Sequence, residues 1–352
     1  MESRADFAQQ RRQVKGGRLG GAVNIVPCAA LPAPPGPALS AGCPAIVSVV
    51  TPVLNRASMI ARALDSVAAH PAGVLEHIVA DGGSTDGTLD LLRARPGLRV
   101  LSGPDANAHE AMNKGVAAAR GDVIGFLNSD DEYGPGILAA VARRFAAEPA
   151  LDVLSVRAFV LRLRADGGRD VVSEIRHATD PECLWGQLLY GAPAINSWFF
   201  RRGLFDRFGG FDPGLEVAAD RAFLIRLAAA GVRPVHHAAA GYLYLSHPGS
   251  ATLDPDSGRA DAILDEHARI RARLLAEAPS AALARRVHRW AAYESLLRLV
   301  RQRRTRGTLR AVAGALRLCL RDPGWPRALA AALRRRRAFR ACFPADPAAP
   351  RS

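Results

Sequence analysis

Residues 123–131 read VIGFLNSDD, an apolar run through Val123, Ile124, Phe126 and Leu127 that stops abruptly at Asn128, Ser129, Asp130 and Asp131. A short continuous apolar run bounded by polar residues is the pattern of a central strand covered on both faces. Open α/β sheets bind ligands beyond the carboxyl ends of their strands, so two acids at this end are placed for chemistry. Adjacent carboxylates repel each other unless something positive lies between them and a substrate, and a divalent cation carrying a phosphorylated ligand supplies that charge. Asn, Ser and Asp are also ordinary turn formers, so these nine residues alone read equally well as an acidic turn closing a strand.

A chain of 352 residues with 49% hydrophobic content is globular and long enough for one large α/β domain with extensions, or for two modest domains. Its formal charge of +14 invites a nucleic-acid or anionic-membrane reading, but the excess concentrates after about residue 269 and leaves the middle of the chain mixed in sign. Lys15 and Lys114 are the only lysines in an Arg-rich and Ala-rich chain, which singles out Lys114. Cys28, Cys43, Cys183, Cys319 and Cys342 are odd in number and lack metal-ligand spacing, which fits a reducing compartment and a cytoplasmic location, with the protein peripheral on the inner face of the membrane. No apolar run reaches about 18 residues, so no spanning helix is expected. Residues 21–33 are weakly apolar after a basic start, but Pro27 and Pro32 break them and argue against a signal peptide.

Residues 1–43, with the tract LPAPPGPALSAG, cannot bury enough apolar surface to offset their ordering entropy and read as a disordered extension. A β-branched run at 45–50 predicts the first strand, and Ile60, Leu64 and Val67 place a helix after it. A second strand at 75–80 leads through DGGSTDGT into a helix, a third at 98–101 follows, and a helix over 108–120 feeds the strand at 123. Successive βα units point to a parallel sheet. Beyond Asp131 the pattern loosens: a helix at 137–145, a hairpin of 154–163 with 171–175, a strand at 195–201, a helix over 216–230, and two short strands at 234–238 and 242–246. From residue 259 onward only helices are signalled, with Arg on their outer faces.

The turn DGGSTDGT lets backbone approach a ligand, and Asp81 at its start can accept hydrogen bonds from a base or ribose. It lacks a dinucleotide or Walker pattern, and by itself reads as a tight turn in which Asp86 caps the next helix. Taken in order, however, VVTPVLNR, DGGSTDGT, EAMNKG and LNSDD resemble the family 2 glycosyltransferases over residues 47–252. The resemblance implies an α/β fold of GT-A type: a single domain over 44–255 with a mostly parallel central sheet, split into a nucleotide-sugar half at 44–131 and an acceptor half at 132–255. A basic helical extension, 256–352, follows it.

By position, the resemblance places Pro52 and Asn55 beside the nucleotide, Asp81 on the base, and Gly82, Ser84 and Asp86 in the donor loop. Asp130 then meets the ribose or metal and Asp131 is the main ligand of Mg²⁺ or Mn²⁺, whose hard-oxygen preference suits carboxylates carrying a diphosphate. Asn113 and Lys114 are placed on donor phosphate or sugar hydroxyls, each otherwise a solvated helix residue, with Glu110 standing where the family has Asp. GGFD at 209–212 and Asp220 match the family's later acids, although Ala219 replaces the first of a pair. Asp220 is then the base of an inverting transfer, its plain alternative being a first-turn acid favoured by the helix dipole. Asn196, Trp198 and Asp212 fall on the acceptor side, Trp198 as a stacking platform or equally a buried strand aromatic. His247 matches a loop His near the metal, or is simply solvated. The expected partners are a UDP-sugar as first choice and a glycan or lipid-linked acceptor of surface polysaccharide synthesis, with peripheral membrane contact and no nucleic acid. Two other readings stand beside this: an anionic-membrane or nucleic-acid binder acting through Arg334–Arg337 with Trp290, Trp325 and Phe339, and an inactive relative that keeps only the scaffold.

Overall fold

A computed structural model describes residues 26–27, 46–164, 166–178, 180–246, 259–277 and 279–343. Its strands are β1 (Val26–Pro27), β2 (Val47–Val53), β3 (Val74–Asp81), β4 (Leu98–Ser102), β5 (Val123–Phe126), β6 (Glu132–Tyr133), β7 (Val153–Leu163), β8 (Arg169–Ile175), β9 (Trp198–Arg201) and β10 (Pro234–Ser246). The helices are α1 (Ile60–Ala68), α2 (Thr88–Arg93), α3 (Ala108–Ala118), α4 (Ile137–Ala147), α5 (Pro181–Tyr190), α6 (Gly203–Phe208), α7 (Ala219–Ala229), α8 (Arg259–Ala276), α9 (Ala281–Arg306), α10 (Thr308–Arg321) and α11 (Trp325–Ala341).

Residues 123–126 form the central strand that their apolar run dictates. All four residues of β5 are buried, between parallel β2 (Val47↔Val123) and antiparallel β9 (Ile124↔Phe200). The sheet runs β1-β8-β7-β9-β5-β2-β3-β4, with β10 alongside β7 and β6 alongside β10. Strands β2 to β5 are mutually parallel, so the ends of β2, β3 and β5 open onto one edge, as βαβ connections require.

Beyond Asp131 the expected outline holds in kind and changes in detail. The two short strands expected at 234–238 and 242–246 are one strand, β10, whose pairing with β7 shifts register between His237 and Ala240 and again before Tyr242. Such irregularities bend a strand without ending it. Helix α7 begins at Ala219, three residues later than its apolar period signalled, and the strand expected at 195–201 starts with a short 3₁₀ turn at Ile195–Ser197. Helices α5 and α6 are additions, α5 opened by Asp180, whose side chain accepts from Glu182 N and Cys183 N with Pro181 in the first turn. Val26–Pro27, within the stretch expected to be disordered, pairs with Val171 and Asp170 of β8.

Two apolar layers sandwich the sheet. One face packs Ile60, Leu64 and Val67 of α1 with Ile137, Val141 and Phe145 of α4. The other holds Phe126, Trp198, Phe200, Phe205, Phe211 and Phe223, and includes Ile270 of α8 and Trp290 of α9. Burying a large apolar side chain of this kind contributes roughly 1.5–3 kcal/mol. With Trp290 fully buried, the first half of the C-terminal region is part of this core, not an appendage on it.

The cysteines also differ from expectation. Cys183 on α5 and Cys342 beyond α11 form a disulfide, their Cα atoms 6.1 Å apart, while Cys319 is a free thiol. A sequence separation of 159 residues hides such a pairing from spacing arguments. Among the described residues no helix is long and apolar enough to cross a membrane.

Candidate active site

The loops after β2 and β3 interlock. Asn55, at φ 52 in the left-handed region that Asn tolerates, accepts from Thr85 N at 2.9 Å, while its own N–H donates to Ser84 Oγ at 2.9 Å. Asp86 accepts from Ala57 N at 3.0 Å and from Thr88 N and Oγ1 at 3.0 and 2.5 Å. These bonds hold its carboxyl below the usual range, led by the one from Thr88. Pro52 is buried within β2, paired to Ala80. Asp81 is 1% exposed and accepts from Gly83 N at 3.3 Å, Ser84 N at 3.2 Å and Ser102 Oγ at 2.8 Å. Its carboxylate therefore shapes the turn.

On the next helix the motif residues divide. Lys114, exposed on α3, donates to Pro104 O at 2.7 Å and pairs with Asp105, whose hydrogen bond raises the lysine pKa. Asp105 in turn borders Gly82, where a Cβ would lie 3.4 Å from its Oδ2. Asn113, expected on the donor, instead grips the GGFD segment: its Nδ2 donates to Phe211 O at 2.7 Å and its Oδ1 accepts from Phe211 N at 2.9 Å. Gly210 is required beside it, because a Cβ there would collide with the Asn113 amide. Glu110 uses its extra methylene to reach back and accept from Ala106 N at 2.6 Å, while the N-cap Asn107 accepts from His109 N and Glu110 N at 3.0 Å each. That is a helix-capping arrangement, and it accounts for Glu without invoking the sugar.

The two acids after β5 part company. Asp131 is 3% exposed; its Oδ2 accepts from Tyr242 Oη at 2.8 Å and Asn128 Nδ2 at 3.2 Å, and its Oδ1 from Leu245 N at 3.0 Å. Burial, reinforced by the neighbouring Asp130 charge, pushes its carboxyl up to about 7. Asp130 is half-buried at the strand end. Asp131 is thus held in place at the carboxyl end of β5 by three protein donors. His247, read as a further metal ligand, lies outside the described residues.

Asp220 sits in the first turn of α7, half-buried, its Oδ1 accepting from Arg221 N at 2.6 Å. Burial raises its pKa, opposed by the His109 and Arg221 charges. Ala219 beside it is wholly buried, so the first acid of the family pair has no room here. Sequence reasoning missed what seats Asp220. Glu266 of α8, 3% exposed, accepts from Glu216 N, Val217 N and Ala218 N at 2.7, 2.9 and 2.8 Å, fixing the three residues that lead into the turn. Helix α8 is itself held by His267, which bonds Glu294 of α9 at 2.5 Å, and by Arg271, paired to the same Glu294.

Tyr244 joins the two sides. Its phenol is hydrogen-bonded by Asn196 and its pKa is raised far above normal, by burial first and then by the charges of Asp131 and Asp220. Asn196, read from sequence as an acceptor residue, is buried at 8% exposure as the partner of that phenol. Trp198 is 3% exposed, donates from Nε1 to His177 Nδ1 at 3.0 Å and stacks on Phe200. Asp212 accepts from Gly214 N at 2.9 Å and pairs with Arg273 of α8, so it braces the tail rather than facing a ligand. The signal for Tyr242 and Tyr244 was present in their alternation along one strand face; nothing local marked Glu266.

No cluster of three or more His, Cys, Asp or Glu side chains suited to a metal occurs among the described residues. The donor set is two carboxylates at one strand end, which fits a cation of the Mg²⁺ class, commonly held by one or two carboxylates together with substrate phosphates.

Acids at the carboxyl edge of a parallel half-sheet stand where open α/β sheets bind their ligands. The chain belongs to glycosyltransferase family 2: residues 48–204 match the family described as Glycosyl transferase family 2. It is 31% identical over 323 residues to the succinoglycan biosynthesis protein ExoO of Rhizobium meliloti, covering 87% of this chain and 91% of that one. An uncharacterised glycosyltransferase of Mycobacterium tuberculosis is 33% identical over 188 residues, 52% of this chain and 68% of the relative. Among solved structures, S. aureus TarS 1–349 in complex with UDP-GlcNAc aligns with a TM-score of 0.54 at 20% identity, covering 85% of this chain and 84% of that one. The fold is GT-A with a helical C-terminal region, and the protein is a glycosyltransferase; an inactive scaffold serving only as a binding module does not stand against these relatives.

Proposed function

We propose that the protein is an inverting glycosyltransferase that moves a sugar from a UDP-sugar to a hydroxyl of a growing surface polysaccharide or lipid-linked glycan. The observation that carries the mechanism is the single acid Asp220, raised in pKa by burial and sharing Tyr244 as a neighbour with the strand-end acid Asp131. The substrates are supported by relatives: ExoO by its name acts in succinoglycan biosynthesis, and TarS binds UDP-GlcNAc.

Asp220 takes the proton of the acceptor hydroxyl as that oxygen attacks the anomeric carbon from the face opposite the leaving group. The new C–O bond forms as the bond to the diphosphate breaks, and the electron pair departs with the nucleoside diphosphate. A carboxylate whose pKa is raised by burial is a stronger base for this step. Asp131, with Asp130 beside it at the end of β5, would hold Mg²⁺ or Mn²⁺, which when bound neutralises charge on the departing diphosphate. Lys114, anchored at Asp105, adds a positive charge at the same end. The interlocked loops of Asn55, Ser84 and Asp86 shape the wall for the nucleoside.

Thermal-shift titration with UDP, GDP, dTDP and their sugars, with and without Mn²⁺, tests the donor. A metal-dependent rise in melting temperature for the UDP compounds is expected, and no shift with any nucleotide contradicts the reading. Proton NMR of the first-formed sugar from an α-linked donor tests the stereochemistry: β is expected, and α rules out inversion.

A further inference from the structure

Helix α10 carries an apolar stripe that nothing among the described residues covers. Leu309, Val312, Leu316 and Leu320 are 88%, 51%, 60% and 83% exposed. Spaced three, four and four residues apart, they share one face of the helix. The opposite face packs on α9, where a Cβ on Gly314 would lie 2.8 Å from Leu299 Cδ2. Arg310, Arg317 and Arg321 line one flank of the stripe, and α10 contains no acid. Across residues 308–341 the sequence holds nine arginines against one acid, Asp322. Two of the aromatics assigned to a surface role from sequence are elsewhere: Trp290 is fully buried in the core, and Phe339 packs against Gly186 and Gly191.

We propose that the outer face of α10 lies on an anionic lipid bilayer, with Leu309, Val312, Leu316 and Leu320 at the acyl boundary and Arg310, Arg317 and Arg321 among the headgroup phosphates. Large exposed aliphatics on a helix with a strong amphipathic period and a purely basic flank are the physical signature of an interfacial helix. The charge selects this occupant over a second copy of the chain, because two α10 faces meeting would bring like-charged flanks together. Since α9 packs α10 on one side and places Trp290 in the core on the other, the anchored helix fixes how the whole domain sits on the surface. The inference does not depend on the identity of donor or acceptor.

Sedimentation of the full chain with phosphatidylcholine vesicles, with and without phosphatidylglycerol, tests it, alongside light scattering for oligomeric state. The wild type should partition onto the anionic vesicles alone, and salt should weaken the binding. Leu309→Ser with Leu316→Ser and Leu320→Ser, and separately Arg310→Glu with Arg317→Glu and Arg321→Glu, should each reduce partitioning at least about tenfold. Because these side chains are already exposed, melting temperature and nucleotide-dependent thermal shift should stay at wild-type values. Equal partitioning of wild type and both variants, or no partitioning of the wild type, overturns the proposal; so does a wild-type dimer that the leucine variant dissociates.

Discussion

The loops after β2 and β3 and the cradle that seats Asp220 are built in opposite ways. The donor loops are local and self-tied: Asn55, Ser84, Asp86 and Thr88 satisfy one another across two adjacent strand ends. The cradle is assembled at long range, with Glu266 closing three backbone N–H groups some fifty residues upstream and α9 holding the helix that carries Glu266. A pocket wall made from neighbouring loops tolerates a changed tail. The seat of Asp220, built by the tail, does not, so α8 and α9 belong to the same structural unit as that acid.

The largest break in this comparison is expected on the donor side. Asp130→Ala should abolish metal-dependent thermal shift by the nucleotide and lower turnover by on the order of a thousandfold, since electrostatic stabilisation of the leaving group is lost. Retention of both would place the cation elsewhere.

Breaking the cradle should separate turnover from donor binding. Glu266→Ala leaves three N–H groups, one buried and two part-buried, without their acceptor, costing on the order of 2 kcal/mol of stability. Measured well below its melting temperature, it should lower kcat about tenfold or more with the donor KM unchanged, because the base is displaced but the donor loops are not. Glu266→Gln, which keeps an acceptor oxygen, should recover part of kcat; a variant that unfolds without any change in kcat of its folded fraction would reduce Glu266 to a structural part.

A smaller effect is expected where the halves are clamped together. Gly210→Ala forces the Asn113 amide away from Phe211 and breaks two hydrogen bonds, worth about 1–3 kcal/mol together. Denaturant unfolding should show that loss, and turnover should fall by less than about tenfold; full stability would mean that the clamp is replaceable.

The same contrast explains what was legible in the sequence. Strands β2 to β5 and their loops follow from β-branched runs, helical periods and turn residues within a few positions of one another, and the strand-end acids were recognised with them. The bonds that hold them were not, because those come from partners such as Tyr242, 111 residues from Asp131. Trp198 shows the same limit: strand alternation permits either face, and only His177 and Phe200 decide that it is inside. Glu266 carries no local mark at all, being one acid in an Arg-rich helix until α7 is packed beside it.

The central claim, that Asp220 alone takes the acceptor proton, is tested most directly by Asp220→Asn assayed for sugar transfer and for metal-dependent UDP binding on the same preparation. The account predicts transfer reduced by about a hundredfold or more with binding intact, the loss expected for removing a general base. In the wild type, the acid limb of the rate profile should lie above the ordinary Asp value of 3.8, in keeping with the raised pKa of the buried carboxyl. Transfer by Asp220→Asn within a few-fold of wild type, with that acid limb unmoved, would contradict it.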